Sequence, residues 1–285
     1  MIRQAWELLR FLRPQIALQA LLYALLGFYL SGGVGLPLKH EDGVAALALL
    51  LIVSFGFVIN DYADIELDRL SKPERSLPSG RVTLAQARLL AVLTAVAALL
   101  LAGWLANPLR LLIWSNLLLT TAYAFWLKRT LLLGNLTIAY LNSSVIVFGA
   151  LSASGPNSRV WSVALIVLLY SVAQELLYTA DDHAGDRAAG ITTTAVALGV
   201  EQTLKLFRLC ILLTALTALL PLCFGFASLA YILLLIPCLL GPIILWIIPF
   251  ARSDAPQQLR TACRVVKWVR VSSLVPLVAL TLSSA

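Results

Sequence analysis

Long apolar runs alternate with short polar stretches along almost the whole chain. A helix needs about 20 apolar residues, each adding about 1.5 Å of length, to cross the hydrocarbon core of a bilayer. Nine runs are close to this length, and they lie near residues 15–32, 43–62, 86–105, 109–127, 132–152, 160–179, 203–222, 226–250 and 265–283. Most of the stretches between them are short. The pattern predicts an all-α polytopic membrane protein with nine transmembrane helices in a single domain, residues 1–285.

The composition and the distribution of charge support this prediction. Hydrophobic residues make up 60% of the chain and charged residues 12%, too few to cover the surface of a water-soluble domain. With the N-terminus inside, the outer loops hold Lys39, Arg110 and Arg159, and the inner loops hold all the other basic residues. The positive-inside rule then predicts a cytoplasmic N-terminus and an outer C-terminus. The net charge of +7 therefore orients the protein in the bilayer, and we predict no nucleic-acid partner.

Two acidic clusters follow the second and the sixth apolar runs. The first is NDYADIELD at residues 60–68, and the second is YTADDHAGD at residues 178–186. Carboxylates at the edge of a bilayer are rare and costly, so each cluster is a candidate functional site on the cytoplasmic side. Their equivalent positions form a weak internal repeat, and membrane proteins often place a site where such repeats meet. We therefore predict that both clusters face one cavity.

Helical spacing selects the candidate metal ligands within each cluster. If the second run continues as a helix, Asp61, Asp64 and Asp68 project from one face, with Asn60 beside Asp64. Three like charges on one face repel each other, which disfavours this helix unless a cation lies among them. Oxygen ligands without histidine or cysteine favour Mg²⁺. Because Mg²⁺ is usually shared with phosphate oxygens, the cluster also predicts a phosphate-bearing substrate.

The second cluster has a similar one-sided arrangement. Tyr178, Asp182 and Asp186 are spaced four residues apart and share a helix face, whereas Asp181 points about a quarter-turn away. On the same side of the membrane, Arg75 and Lys128 could each complete a diphosphate site or act only as positive-inside anchors.

These residues, taken together, resemble the UbiA-type intramembrane prenyltransferases over nearly the whole chain. The matching features are NDxxDxxxD at 60–68, YxxxDxxxD at 178–186, P-x-R-x-L-P-S-G at 73–80, Arg13-Pro14, Lys128, and LLGN ending at Asn135. The resemblance implies nine helices around a central cavity, with cytoplasmic cap loops. It also implies Mg²⁺-dependent transfer of an isoprenyl group from a prenyl diphosphate through an allylic carbocation.

The resemblance also assigns roles to particular residues. The expected ligands of two Mg²⁺ ions are Asn60, Asp61, Asp64, Asp68, Asp182 and Asp186. Lys128 and the aspartates other than Asp61 are the expected catalytic residues. Arg75 and Lys128 would bind diphosphate, and Tyr123, Tyr178 and Asn135 would contact substrate.

The acceptor and two other functions remain open at this stage. An aromatic or a lipid-like acceptor fits the resemblance, and GDRAAG at 185–190 is more similar to the chlorophyll-synthase, archaeal-lipid and menaquinone branches than to the 4-hydroxybenzoate branch. A terpene cyclase would need the same metal site. A cation transporter is a weaker alternative, because transport sites lie near the bilayer midplane and these carboxylates lie at the ends of the runs.

Overall fold

A computed structural model describes residues 2–35, 39–251 and 254–283, and every regular element in these ranges is helical. The α-helices are α1 (Ile2–Phe11), α2 (Pro14–Leu30), α3 (His40–Ala63), α4 (Ile65–Ser71), α5 (Leu84–Ala102), α6 (Asn107–Phe125), α7 (Leu133–Leu151), α8 (Ser158–Ala188), α9 (Thr194–Leu198), α10 (Val200–Thr217), α11 (Leu220–Cys223), α12 (Leu229–Leu235), α13 (Ile248–Phe250), α14 (Pro256–Ser272) and α15 (Leu274–Ala279). The prediction of an all-α protein is confirmed for the described residues.

Eight helical segments in the described ranges are long and apolar enough to cross a membrane. They are Gln4–Leu30, His40–Ala63, Leu84–Ala102, Leu133–Leu151, Ser158–Ala188, Val200–Cys223, Leu229–Phe250 and Pro256–Leu282. The predicted fourth span is also a helix, the 19-residue α6, but it is not among the eight. It carries Asn107, Arg110, Asn116, Thr120 and Thr121, which lower its mean hydropathy. The count of nine membrane spans therefore stays a prediction, as do the cap loops.

The chain folds into two compact units, and residues 1–25 with 34–128 form the first. In this unit α3 packs against both α5 and α6. Helix α5 presents a line of buried small residues, Ala87, Ala91, Ala98 and Ala102, so its backbone can approach a neighbouring helix closely. A capping box begins this helix: Thr83 Oγ1 accepts a hydrogen bond from the backbone amide of Gln86, and Gln86 Oε1 accepts one from the backbone amide of Thr83.

Residues 26–33 with 129–285 form the second unit, which is organised around the 31-residue helix α8. This helix packs against α7, α10 and α14. The Ser143 hydroxyl donates to the Ala164 carbonyl at 2.7 Å and ties α7 to α8. The Tyr170 hydroxyl donates to the Val266 carbonyl at 2.6 Å and ties α8 to α14. These bonds use buried polar groups inside an apolar bundle, where an unpaired group would be costly. These two units do not test the prediction of a single domain, which stays a prediction.

The predicted span at 226–250 is helical but irregular. Between α12 and α13 it contains two π-helical segments, Ile236–Leu240 and Ile243–Ile247. Prolines at 237, 242 and 249 cannot donate the hydrogen bond of a regular α-helical turn, and wider turns accommodate the gaps.

Candidate active site

The second apolar run does not continue as one helix through the first acidic cluster. Helix α3 ends at Ala63, Asp64 lies between the helices with φ −97° and ψ 7°, and α4 begins at Ile65. The amide of Asp64 still donates to the Asn60 carbonyl at 3.0 Å, and that of Asp68 to the Asp64 carbonyl at 2.8 Å. The prediction of an uninterrupted helix is therefore wrong. The shortest ion pair of each aspartate is with a different cation: Asp61 with Arg13, Asp64 with Lys128 and Asp68 with Arg75.

Asp61 forms a bidentate ion pair with Arg13. Arg13 Nη2 donates to Asp61 Oδ1 at 2.8 Å and to Oδ2 at 2.6 Å, and Asp61 is 6% exposed. The guanidinium also lies 4.7 Å from the centre of the Phe57 ring, a favourable cation–π position. Arg13 has a φ of 50°, in the left-handed region that non-glycine residues adopt at a cost of about 1–3 kcal/mol. Sequence reasoning noticed Arg13 only as part of the Arg-Pro match and assigned it no contact in the site.

Arg75 links Asp61 to Asp68. Its Nη1 donates to Asp68 Oδ2 at 2.7 Å and lies 3.6 Å from Asp61 Oδ1, and Asp68 is 3% exposed. The loop that carries Arg75 is held by a hydrogen bond of 2.9 Å from the Val82 amide to the Ser76 carbonyl. It turns at Gly80, whose φ of 76° suits a residue without a Cβ.

Lys128 contacts two further residues of the first cluster, Asn60 and Asp64. It follows α6 in a short 3₁₀ turn, Leu127–Arg129, and its Nζ lies 2.5 Å from Asp64 Oδ1 and 3.5 Å from Asn60 Oδ1. The Asn60 amide in turn donates to Asp64 Oδ2 at 3.1 Å. One cationic nitrogen is therefore shared by an oxygen of Asn60 and an oxygen of Asp64. These two oxygens can converge on a positive charge.

This convergence bears on whether the cluster fits Mg²⁺. Within the described ranges, no three His, Cys, Asp or Glu side chains are grouped closely enough to hold a metal by themselves. Mg²⁺ commonly takes only one or two protein carboxylates and completes its octahedron with waters and phosphate oxygens. Asn60 and Asp64 fit that requirement. The carboxylates of Asp61 and Asp68 are instead engaged by arginines, and their role as metal ligands stays a prediction.

The second cluster has the predicted geometry. Helix α8 continues without a break to Ala188, so Tyr178, Asp182 and Asp186 lie on one helix face. Asp182 is exposed and Asp186 is half-buried. The Tyr178 hydroxyl accepts a hydrogen bond of 2.7 Å from the side-chain amide of Gln174, one turn earlier on the same face.

Helix α14 brings two cations to this part of α8. Lys267 Nζ lies 5.2 Å from the centre of the Tyr178 ring. Arg270 interacts electrostatically with Glu175, which is also close enough to Asp182 to interact with it. By sequence alone, Lys267 and Arg270 count only among the basic residues that orient the protein, and Glu175 has no assigned role. The sequence offers one signal for such a role: Lys267 and Arg270 lie three residues apart near the start of the last apolar run.

Asn135 has a structural contact. The Thr194 hydroxyl donates to Asn135 Oδ1 at 2.6 Å and accepts a hydrogen bond from the Leu132 amide at 3.1 Å. Thr194 and Asn135 are buried, so this pair joins the beginning of α7 to α9. Tyr123 is half-buried on α6. Substrate contact by Asn135 or Tyr123 stays a prediction.

Comparison with known proteins identifies the family. The sequence profile of the UbiA prenyltransferase family matches residues 20–271, most of the chain and both acidic clusters. The chain belongs to the UbiA prenyltransferase family. This membership, together with the apolar helices, makes it an integral membrane enzyme that transfers prenyl groups.

Two relatives within the UbiA family carry the same name. The digeranylgeranylglyceryl phosphate synthase of Methanoculleus marisnigri is 36% identical over 196 residues, covering 68% of this chain and 69% of the relative. That of Methanothermobacter thermautotrophicus is 28% identical over 273 residues, covering 96% of this chain and 94% of the relative. Synthases of this name give no support to the cyclase alternative.

Solved UbiA structures share the fold. A structure from a study of digeranylgeranylglyceryl phosphate synthase in membranes has a TM-score of 0.77 and 22% identity, with 98% of each chain covered. A UbiA homologue from Archaeoglobus fulgidus bound to DMAPP and Mg²⁺ has a TM-score of 0.68 and 18% identity, covering 94% of this chain and 99% of that one.

Proposed function

We propose that this UbiA-family enzyme transfers an isoprenyl group from a prenyl diphosphate to a hydroxyl of a glyceryl-phosphate lipid, with Mg²⁺ as cofactor. The name of its relatives describes a glyceryl phosphate that carries two geranylgeranyl groups. A prenyl transfer that gives such a product must end on an oxygen of the glyceryl unit. This supports the lipid-like acceptor over the aromatic one.

The contacts of Lys128 with Asn60 and Asp64 are the main support for a diphosphate substrate. It brings a cation and two metal-competent oxygens to one point, as a metal–diphosphate substrate requires. The A. fulgidus homologue was solved with DMAPP and Mg²⁺, which supports this choice of cofactor and donor.

The balance of charge in the first unit also supports a metal. Arg13, Arg75 and Lys128 contribute three positive charges, and the aspartates that they contact contribute three negative ones. The cluster has no formal charge left to attract an anionic diphosphate. Mg²⁺, when bound, would supply that charge and stabilise the departing diphosphate.

The chain's own residues would then act as follows. Arg75 and Lys128 bind diphosphate oxygens, and Asp64 and Asp68 keep these cations in place until substrate enters. The allylic C–O bond breaks and its electron pair leaves with the diphosphate. The acceptor oxygen attacks the resulting carbocation to form the new C–O bond, and the released diphosphate takes up the hydroxyl proton. Apolar helices exclude the water that would otherwise capture the cation.

The second cluster is proposed to hold a second Mg²⁺ ion. Asp182 and Asp186 are its proposed ligands, with Tyr178 beside them, because all three project from one face of α8. Support comes from this spacing and from the family motif; that both clusters face one cavity stays a prediction. The positive-inside distribution supports a cytoplasmic active site and N-terminus.

The test is turnover by the purified enzyme with Mg²⁺, geranylgeranyl diphosphate and a glyceryl phosphate carrying one geranylgeranyl group. Product mass and released diphosphate are both measured. We expect Asp64→Asn and Asp182→Asn to lower turnover by about 100-fold or more, the range seen when one electrostatic contact to a transition state is lost. The matched control is Glu66→Gln, an exposed residue of the same cluster whose partner is Arg69, and it should keep wild-type activity.

Two results would contradict the proposal. If both aspartate variants release diphosphate at the wild-type rate, Asp64 and Asp182 are not part of the active site. A cyclised hydrocarbon formed from the diphosphate without acceptor would favour a cyclase.

A further inference from the structure

Helix α8 carries a buried polar residue that the proposed metal site does not use. Gln174 is 5% exposed and lies one turn before Tyr178, to whose hydroxyl its Nε2 donates. Among the described residues, nothing donates a hydrogen bond to its Oε1, although that atom is buried. An unsatisfied buried acceptor destabilises a fold, so a native structure keeps few of them and each calls for a partner or a functional role. Gln174 Oε1 is therefore suited to accept a hydrogen bond from a bound hydroxyl group.

A cation lies against the same tyrosine. Lys267 Nζ is 5.2 Å from the centre of the Tyr178 ring, and within the described ranges no carboxylate lies within 4.0 Å of it. This differs from Lys128 and Lys205, each of which pairs with a carboxylate. Lys267 lies on α14 and its side chain is exposed, so its ammonium is accessible to a bound anion.

We propose that Gln174, Tyr178 and Lys267 form a subsite for the head group of the acceptor, and that this subsite selects an alcohol bearing an anionic phosphate. Lys267 binds a phosphate oxygen. The carboxamide oxygen of Gln174 accepts the hydrogen bond of the acceptor hydroxyl and so orients its oxygen. Tyr178 positions both residues, one through its hydroxyl and the other through its ring. No proton is transferred to any of the three.

This inference rests on the proposed function and adds the residues that recognise the acceptor. A different explanation for Lys267 is that it anchors α14 at the membrane surface. The two explanations predict different kinetics. If Lys267 is only an anchor, its loss should affect acceptors with and without a phosphate equally. If Lys267 binds the phosphate, its loss should affect only the phosphorylated acceptor.

The experiment compares two acceptors, a glyceryl phosphate carrying one geranylgeranyl group and the same lipid without its phosphate. For Lys267→Gln we expect kcat/KM for the phosphorylated acceptor to fall roughly 10- to 100-fold, the range for loss of a hydrogen bond to a charged group. The value for the dephosphorylated acceptor and the KM for prenyl diphosphate should not change. Lys267→Arg should restore most of the preference. Because a ratio of two acceptors is measured, the fraction of folded enzyme cancels.

The matched control is Arg264→Gln, which removes a cation from the same helix one turn earlier. Arg264 is exposed and contacts Thr261 of its own helix, so the acceptor preference should stay at the wild-type value. Gln174→Leu should lower kcat/KM for both acceptors alike, since both contain the hydroxyl.

An unchanged preference in Lys267→Gln, with wild-type transfer intact, would overturn the subsite alone. Absence of Mg²⁺-dependent diphosphate release from the wild-type enzyme would instead overturn the proposed function. The two failures are therefore distinguishable in one set of assays.

Discussion

Replacing Lys128 with methionine should change metal binding and catalysis in opposite directions. The ammonium contacts Asp64 Oδ1 at 2.5 Å and Asn60 Oδ1 at 3.5 Å, and the side chains of Lys128 and Asp64 are only 11% and 15% exposed. A metal that uses these oxygens must first displace the ammonium. A hydrogen bond to a charged group contributes about 1.5–3 kcal/mol. Lys128→Met removes that competition, and methionine keeps a long unbranched side chain.

The expected tightening of metal binding is therefore roughly 10- to 100-fold in the absence of substrate. Catalysis should respond the other way, because the variant lacks a cation for the departing diphosphate; a loss of about 100- to 1,000-fold in kcat is the usual range. Mn²⁺ can replace Mg²⁺ as a spectroscopic probe, so its binding is measured by electron paramagnetic resonance on the enzyme in detergent. Released diphosphate gives kcat.

The control for this experiment is Arg129→Gln. Arg129 is the neighbouring residue, its side chain is exposed, and it is one of the inner basic residues that orient the protein, so both measurements should stay at wild-type values. Weaker Mn²⁺ binding in Lys128→Met would refute the reasoning, since it would mean that the lysine supports the metal site and does not compete with the ion. An unchanged kcat in Lys128→Met would show that Lys128 does not stabilise the departing diphosphate.

Two further predictions concern the stability of each unit. Asp61→Asn should destabilise the enzyme by about 3 kcal/mol, because it leaves the partly buried guanidinium of Arg13 without its carboxylate partner. The melting temperature in detergent should fall. In the double variant, Arg13→Gln should add little to this loss, because the two side chains act as a pair. Additive losses would show that the two side chains are not coupled. Gly27→Ala should also lower the melting temperature, because a Cβ at Gly27 would lie 1.9 Å from the carbonyl oxygen of Ile146. The control is Gly43→Ala, whose Cβ meets open space, and it should be neutral or slightly stabilising. Equal melting temperatures for the two alanine variants would contradict this packing.

Much of the candidate site could be predicted from local sequence. The apolar runs predict membrane-crossing helices because bilayer thickness sets the length of such a helix, and eight helical segments of the described residues have that length. The spacing of the aspartates along α8 likewise gave their common face, since a helix has a fixed period. Arg75 and Lys128 came from the family resemblance, and both do contact aspartates of the first cluster.

The sequence by itself determined which segments enter the membrane, which clusters carry the acidic groups and which family the chain resembles. Tertiary structure alone decided which cation each carboxylate contacts. Arg13 and Asp61 are 48 residues apart and Lys128 and Asp64 are 64 apart, so their pairing depends on how the chain packs. The position of Lys267 over Tyr178 depends in the same way on the packing of α14 against α8. Hydropathy and helical period act over a few residues, and no local pattern specifies a contact between distant helices.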